Sequence, residues 1–158
     1  MNDFRVTQKI RLVGDKKWHN YVDVEIGDHI EIQTQYKNVS SPGIVHKNVA
    51  MKAILPRNLR YVPGSGLIFT AKWPEGKPLE RDTIAEGGVG IGTYSRNANA
   101  YVRFEAEVID EALADGVTGL VSWVQVRVDR VTLQDHASIR VCKNCERPTD
   151  SETVPPEA

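Results

Sequence analysis

Four histidines, two cysteines, three tryptophans and a set of strand-borne carboxylates are the residues of this chain whose types could do chemistry. Asp135, His136 and Ser138 have the composition of an acid, a base and a nucleophile. A working nucleophile also needs a sharp elbow and an oxyanion hole. The passage DHASIRV around them reads instead as a strand. Glu105 and Glu107 share one parity with Arg103, so they read as a solvated charge ladder rather than an acid/base pair. His29 and His46 would become neighbours if their strands paired antiparallel, since cross-strand partners lie ~5 Å apart. Two histidines fall short of a metal ligand set. No catalytic, cofactor-binding or metal-binding residues are therefore assigned, and the chain is expected not to be an enzyme.

Cys142 and Cys145 form one C-x-x-C. A closed zinc site takes four ligands, and a thioredoxin-like motif sits between a strand and a helix. This pair follows a terminal strand and precedes a Pro-rich tail. It reads as a small disulfide loop or as two free thiols.

The glycine-rich run Gly87 to Gly92 (GGVGIG) lacks both the G-x-G-x-x-G spacing and the lysine of a phosphate loop, so bulges and tight turns account for it. Lys9, Lys37 and Lys52 fall on the polar parity of their strands, which argues against a core crosslink from lysine to Asn or Asp. Trp18, Trp73 and Trp123 remain as aromatic contact candidates. Trp123 lies opposite the strongest apolar parity, which makes it the candidate partner-binding aromatic.

These residues need elements to position them, and the chain supplies strands. Its 158 residues fit one domain, and 41% hydrophobic with 26% charged residues are ordinary globular values. A formal net charge of -1 argues against nucleic-acid binding. No apolar run approaches the ~20 residues of a membrane span. The N-terminus is polar from the start and is not a signal peptide. The expectation is either a cytoplasmic protein or a piece of a larger exported one.

Period-two alternation recurs along the chain. Phe4, Val6, Ile10 and Leu12 share one parity; so do Val22, Val24 and Ile26, and again Ile30, Ile32, Thr34 and Tyr36. Val49, Met51, Ala53 and Leu55 follow. Ile54 to Phe69 is a strand-turn-strand corner punctuated by Pro56 and Pro63-Gly64-Ser65-Gly66, and Leu67, Phe69, Ala71 and Trp73 make its returning strand. Val102, Phe104, Ala106 and Val108 form a clear strand. Asp110 to Asp115 is read as one helical turn capped by Gly116. Leu120, Ser122, Val124, Val126 and Val128 lead to a parity slip after Asp129-Arg130, read as a bulge. Ala137, Ile139 and Val141 close the last strand. Asn38-Val39-Ser40 fits a glycosylation sequon, a pattern common by chance. About eight or nine short strands at regular turn spacing mean an antiparallel β-sandwich or barrel. Residues 1–145 are expected to form that single domain, and residues 146–158 a Pro-rich polar tail or linker.

Several passages in their order resemble the bacterial cell-surface repeat known as domain of unknown function eleven. They are Val24 to Asn38 (VEIGDHIEIQTQYKN), Asn48 to Ser65 with its Leu-Pro and Tyr-Val-Pro-Gly-Ser, Gly90 to Tyr94, Asn99 to Val108 and Asp135 to Val141. The likeness runs from Arg11 to Val141. It departs from many relatives in showing a single unit and in lacking a Cys- and Asn-rich passage at Asp110 to Thr118. The resemblance implies an all-β, antiparallel immunoglobulin-like β-sandwich, a stalk or adhesion-type module of a cell-surface or exported protein. Its implied partners are adjacent domains, another protein or a cell-surface glycan, without cofactor, nucleic acid or membrane insertion. A cytoplasmic protein-binding module and a carbohydrate-binding sandwich are the alternatives.

Overall fold

The computed structural model describes residues 3–145; residues 146–158, read above as a tail or linker, lie outside the described residues. The described chain is all strand and turn, with eleven strands in two sheets. In chain order they are β1 (Phe4–Leu12), β2 (Tyr21–Glu25), β3 (His29–Asn38), β4 (His46–Ile54), β5 (Leu59–Tyr61) and β6 (Leu67–Phe69), followed by β7 (Lys77–Pro78), β8 (Val89–Tyr94), β9 (Asn99–Val108), β10 (Gly116–Val128) and β11 (Val131–Lys143). The first sheet runs β1-β3-β9, then β6-β7, with β5 also paired to β9. The second runs β2-β11-β10-β4-β8. All pairings are antiparallel except β2 with β11, which run parallel. The architecture is the β-sandwich expected from the alternation, of the immunoglobulin-like kind that the family resemblance implies.

The alternation is also what fills the core. Every second residue of β3 and β9 is buried, so Ile30, Ile32 and Tyr36 face Val102, Phe104, Ala106 and Val108 on one inner surface. Val49, Met51 and Ala53 of β4, Val124 and Val126 of β10, and Ala137, Ile139 and Val141 of β11 supply the other. Opposed apolar faces of two sheets are the usual solution for burying one side of each. Gln8 and Ser122 put polar atoms into this layer. Neither the Gln8 amide nor the Ser122 hydroxyl meets a hydrogen-bond partner among the described residues, so both oppose folding.

Polar residues tie the ends of the sheets together. Tyr36 and His46 are buried and joined by a 2.6 Å hydrogen bond between Oη and Nδ1, beside the rings of Phe4 and Tyr94. Asn38 is fully buried. Its amide donates to the carbonyls of Tyr94 at 2.9 Å and Ile44 at 3.2 Å, and its Oδ1 accepts from the Ser40 N–H. The sequon at Asn38 therefore has no free amide to glycosylate in the folded protein.

The corner at Ile54 to Phe69 has a specific job. β5 and β6 pair in succession with the same edge of β9. Ser65 bridges the gap between them: its hydroxyl donates to the Val62 carbonyl at 2.7 Å and accepts the Glu105 N–H at 2.9 Å. Asp82 holds the turn from outside, taking the Tyr61 hydroxyl and the Gly64 N–H.

Three local expectations are corrected. Asp110 to Asp115 is not a helical turn. Ala112 has φ of 59°, and the segment spreads to bury Leu113, with Asn58 on the Glu111 carbonyl and Lys143 on the Leu113 carbonyl. The parity slip after Asp129-Arg130 is a two-residue hairpin rather than a bulge: the register runs unbroken from Val128 opposite Val131, with Asp129 at φ of 54°. The strand expected to continue to Trp73 stops at Phe69, because Thr70 and Trp73 close a turn with reciprocal backbone hydrogen bonds.

Phe104 is buried in the middle of β9 against the Tyr61 ring. Phe104→Ala is expected to cost about 3–5 kcal/mol, measured by denaturant unfolding; an unchanged midpoint would contradict this core assignment. The buried phenols make a second prediction. Burial raises the Tyr94 pKa to about 12 and raises Tyr36 as well; Tyr61 is raised to about 12 by burial and then by its bond to Asp82. A raised folded pKa contributes stability that is complete below the unfolded value near 10 and is lost as pH climbs through the folded values. The unfolding midpoint should fall between about pH 10 and about pH 12, and Tyr61→Phe should blunt that fall.

Candidate functional site

The two sheets end differently on their two sides. β1 and β2 close one side of the sandwich; β7 and β8 are the outer strands of the other. There the chain leaves an open cleft of about 850 Å³. One lip is the turn joining β6 to β7, the other is β8, and Asn97 to Asn99 with Tyr101 form the base. This volume is within the range of about 300–1,000 Å³ that holds small ligands.

Local sequence builds the first lip tightly. Beyond the Thr70–Trp73 turn, the Gly76 N–H donates to the Trp73 carbonyl at 3.0 Å. Gly76 has φ of 87°, and a Cβ there would sit 2.6 Å from the Phe69 ring, so glycine is required on both counts. The Arg103 guanidinium lies 4.6 Å over the same ring and 5.3 Å from the Trp18 ring, which also carries Arg11 at 4.0 Å. Burial, as the leading cause, lowers the Arg103 pKa. This stack holds Phe69 rigid under the turn, and the turn presents Trp73.

Trp73 is 39% exposed and lines the cleft. The ammonium groups of Lys77 and Lys72 lie 4.7 and 5.4 Å from its ring centre. The opposite lip is nearly bare, because Gly90 and Gly92 bring backbone to the surface. The register between β4 and β8 shifts twice, between His46 and Val49 and between Val49 and Ala50. The glycine run therefore forms an irregular edge strand, where turns and bulges alone were expected.

The residues singled out by sequence are scattered. Trp123 is half-buried on the outer face of the second sheet, its ring 4.8 Å from that of His136. It stands level with Ile54 and His136 in the ladder, and Tyr21, Ser138 and Val121 make the next row. That face mixes apolar and polar side chains, and an open hollow lined by Asn20, Tyr21, Asp135, His136, Ser138 and Arg140 lies beside Trp123, which does not itself line it. Trp73, the more exposed indole, occupies the cleft.

Asp135 accepts the Gln8 backbone N–H at 2.7 Å. His136 stacks on Trp123, and Ser138 lies two residues along the strand. With the carboxylate engaged by backbone, these three do not assemble into a relay. His29 contacts Glu105, whereas His46 is buried beside Tyr36, so the two histidines lie on different sheets and apart. Glu107 pairs with Arg60, whose hydrogen bond holds its carboxyl below the usual range. Lys9 donates to the exposed Asn20 amide oxygen at 2.6 Å. Among the described residues there is no group of three or more metal-ligating side chains. Cys142, next to the last residue of β11, stands opposite Glu25 of β2, and its sulfur is joined to that of Cys145, with Cα atoms 5.6 Å apart.

Sequence reasoning missed Lys72, Lys77, Asn97 and Asn99 as site residues. The one local signal was the turn chemistry of Pro74 to Gly76, directly after Trp73.

No protein-family model matches this chain, and no curated protein matches it in sequence. Solved structures do match its fold. The N-terminal domain of the Streptococcus gordonii adhesin Sgo0707 superposes with a TM-score of 0.56 at 10% identity, over 85% of this chain and 32% of that one. The T6 backbone pilin of serotype M6 Streptococcus pyogenes gives 0.55 at 12% identity, over 88% of this chain and 36% of that one. AvmM, which catalyses macrocyclization in alchivemycin A biosynthesis, gives 0.54 at 11% identity, over 93% of each chain. This chain thus spans about a third of the adhesin and pilin structures. At these identities the likeness is one of fold.

Gly76→Ala should strain the lip by about 1–3 kcal/mol and push on Phe69. The expected readout is a lower melting temperature together with a changed tryptophan emission spectrum. Wild-type values for both would show that the lip does not depend on this close approach.

Proposed function

We propose that this chain is a non-catalytic immunoglobulin-like module, of the stalk or adhesion type, within a bacterial surface or exported protein. The observation that carries this reading is the division of labour in the molecule. The open cleft presents an indole, ammonium groups and amides suited to holding a ligand. Three of the titratable groups that the sequence offers for bond-making chemistry lie away from it and are engaged: Asp135 on a backbone N–H, Glu107 on Arg60, His46 on Tyr36. The sandwich shared with adhesin and pilin domains supports the same reading.

The likeness to AvmM over nearly the whole of both chains means that this fold also hosts an enzyme. Fold alone does not choose between the two roles; the cleft's chemistry favours binding. Residues 1–145 would be the module and residues 146–158 a Pro-rich polar tail or linker. The motif likeness to the surface repeat known as domain of unknown function eleven belongs to this proposal too. An oxidised Cys142–Cys145 pair fits an oxidising compartment.

Antibodies against the chain should label intact cells that carry the gene, and the protein isolated from them should show no titratable thiol before reduction. Labelling only after permeabilisation, with two reactive thiols, would overturn the surface assignment.

A further inference from the structure

We propose that the cleft between β7 and β8 binds an acidic saccharide, with Trp73 as the stacking platform and Lys72 and Lys77 as partners of its carboxylate or sulfate. The inference rests on the interaction role proposed above and gives it a site and a ligand class.

The geometry first excludes the simplest occupant of a sheet edge, an added strand. Strand addition needs a run of regular, unpaired backbone groups. β7 is two residues long, and Pro78 has no N–H to donate. β8 is irregular: its register against β4 shifts twice, and Gly92 has φ of 115°. Neither lip offers an extended peptide a continuous ladder.

What the lips do offer suits a compact ring bearing hydroxyls. An exposed indole has an apolar face that can cover the C–H face of a sugar. Thr70, Thr93, Asn97 and Asn99 place hydroxyls and amides around it, groups that both donate and accept. Pockets that fix a ligand's orientation combine such a face with a few polar groups.

Charge then narrows the class. Lys72 and Lys77 converge on one indole, and the cleft lining sets a single carboxylate, Glu80, against them. Cation–π attraction holds the ammoniums near the ring, yet two like charges sharing it repel. An anionic substituent at the ring edge would relieve that repulsion and draw the lysines off the indole face, exposing it for stacking. A neutral sugar would have to displace them without that gain.

The probes are a hyaluronan hexasaccharide, which carries carboxylates, a heparin hexasaccharide, which adds sulfates, neutral maltohexaose and poly-glutamate, each titrated while tryptophan fluorescence is followed. At least one acidic saccharide should change the emission saturably, and maltohexaose should bind about tenfold more weakly or worse. Trp73→Ala should abolish the response, and the Lys72→Ala/Lys77→Ala pair should weaken binding about tenfold, with a shallower salt dependence. Gly90→Leu is the folding control. A Cβ at Gly90 meets nothing within 4 Å and its φ is not in the left-handed region, so the leucine should leave the melting temperature unchanged while filling the cleft and blocking binding.

Failure of both acidic saccharides to bind at millimolar concentration would overturn the inference. So would equal binding of maltohexaose or poly-glutamate, or binding untouched by Trp73→Ala and Gly90→Leu. Those results would leave surface labelling of cells intact, so the cleft's ligand and the module's location fail separately.

Discussion

The Asn38 side chain is the contact on which the open side of this sandwich depends. It sits fully buried at the end of β3, in the first sheet, yet its amide serves the carbonyl of Tyr94 at the end of β8, in the second. It also holds the Ile44 carbonyl in the loop that crosses between the sheets. Its own backbone binds Asn97 and Ala98, where the chain turns from β8 into β9. A buried amide must satisfy its donors and acceptor or oppose folding. Here those partners lie on two other passages of chain, the loop from β3 to β4 and the end of β8 with its turn into β9. Asn97 is thus held by its N–H to the Asn38 carbonyl, and Asn99 by its ladder position opposite Lys37.

From that base the two lips rise by different means. The β6–β7 lip is rigid because Phe69 is clamped between the Gly76 backbone and the Arg103 guanidinium. The β8 lip is low because its glycines carry no side chains. The result is a cleft lined by an exposed indole, two ammonium groups, hydroxyls, amides and one carboxylate, Glu80. The same sandwich is shared by adhesin and pilin domains and by a macrocyclizing enzyme. Sites, more than folds, decide function in such cases.

Much of the core could be read directly from residue order. Ile30, Ile32, Thr34 and Tyr36, or Val102, Phe104, Ala106 and Val108, alternate because each strand has one dry face, and a period of two can be recognised without knowing which strand lies opposite. The signal failed where local preference met a distant demand. Asp110 to Asp115 has helix-forming residues, but burying Leu113 and satisfying Asn58 and Lys143 pulled it open. Asp129-Arg130 shifted parity because a two-residue hairpin reverses the chain, which in one dimension cannot be told from a bulge. Trp73 continued an alternating pattern, and only the hydrogen bonds back to Thr70 removed it from the strand.

The sequence by itself determined the class of fold, the inner face of each long strand and the turn positions of its glycines and prolines. These follow from short-range periodicity and from backbone sterics, which act within a few residues. Tertiary structure alone decided which tryptophan is presented. Trp123 lies on a flat sheet beside His136, while Trp73 gains its setting from Lys77, Asn97 and Gly90, residues carried by β7, the turn before β9, and β8. Their meeting depends on two sheet edges ending on the same side. That is a matter of strand order, and strand order is set by packing between distant segments rather than by the residues of any one strand.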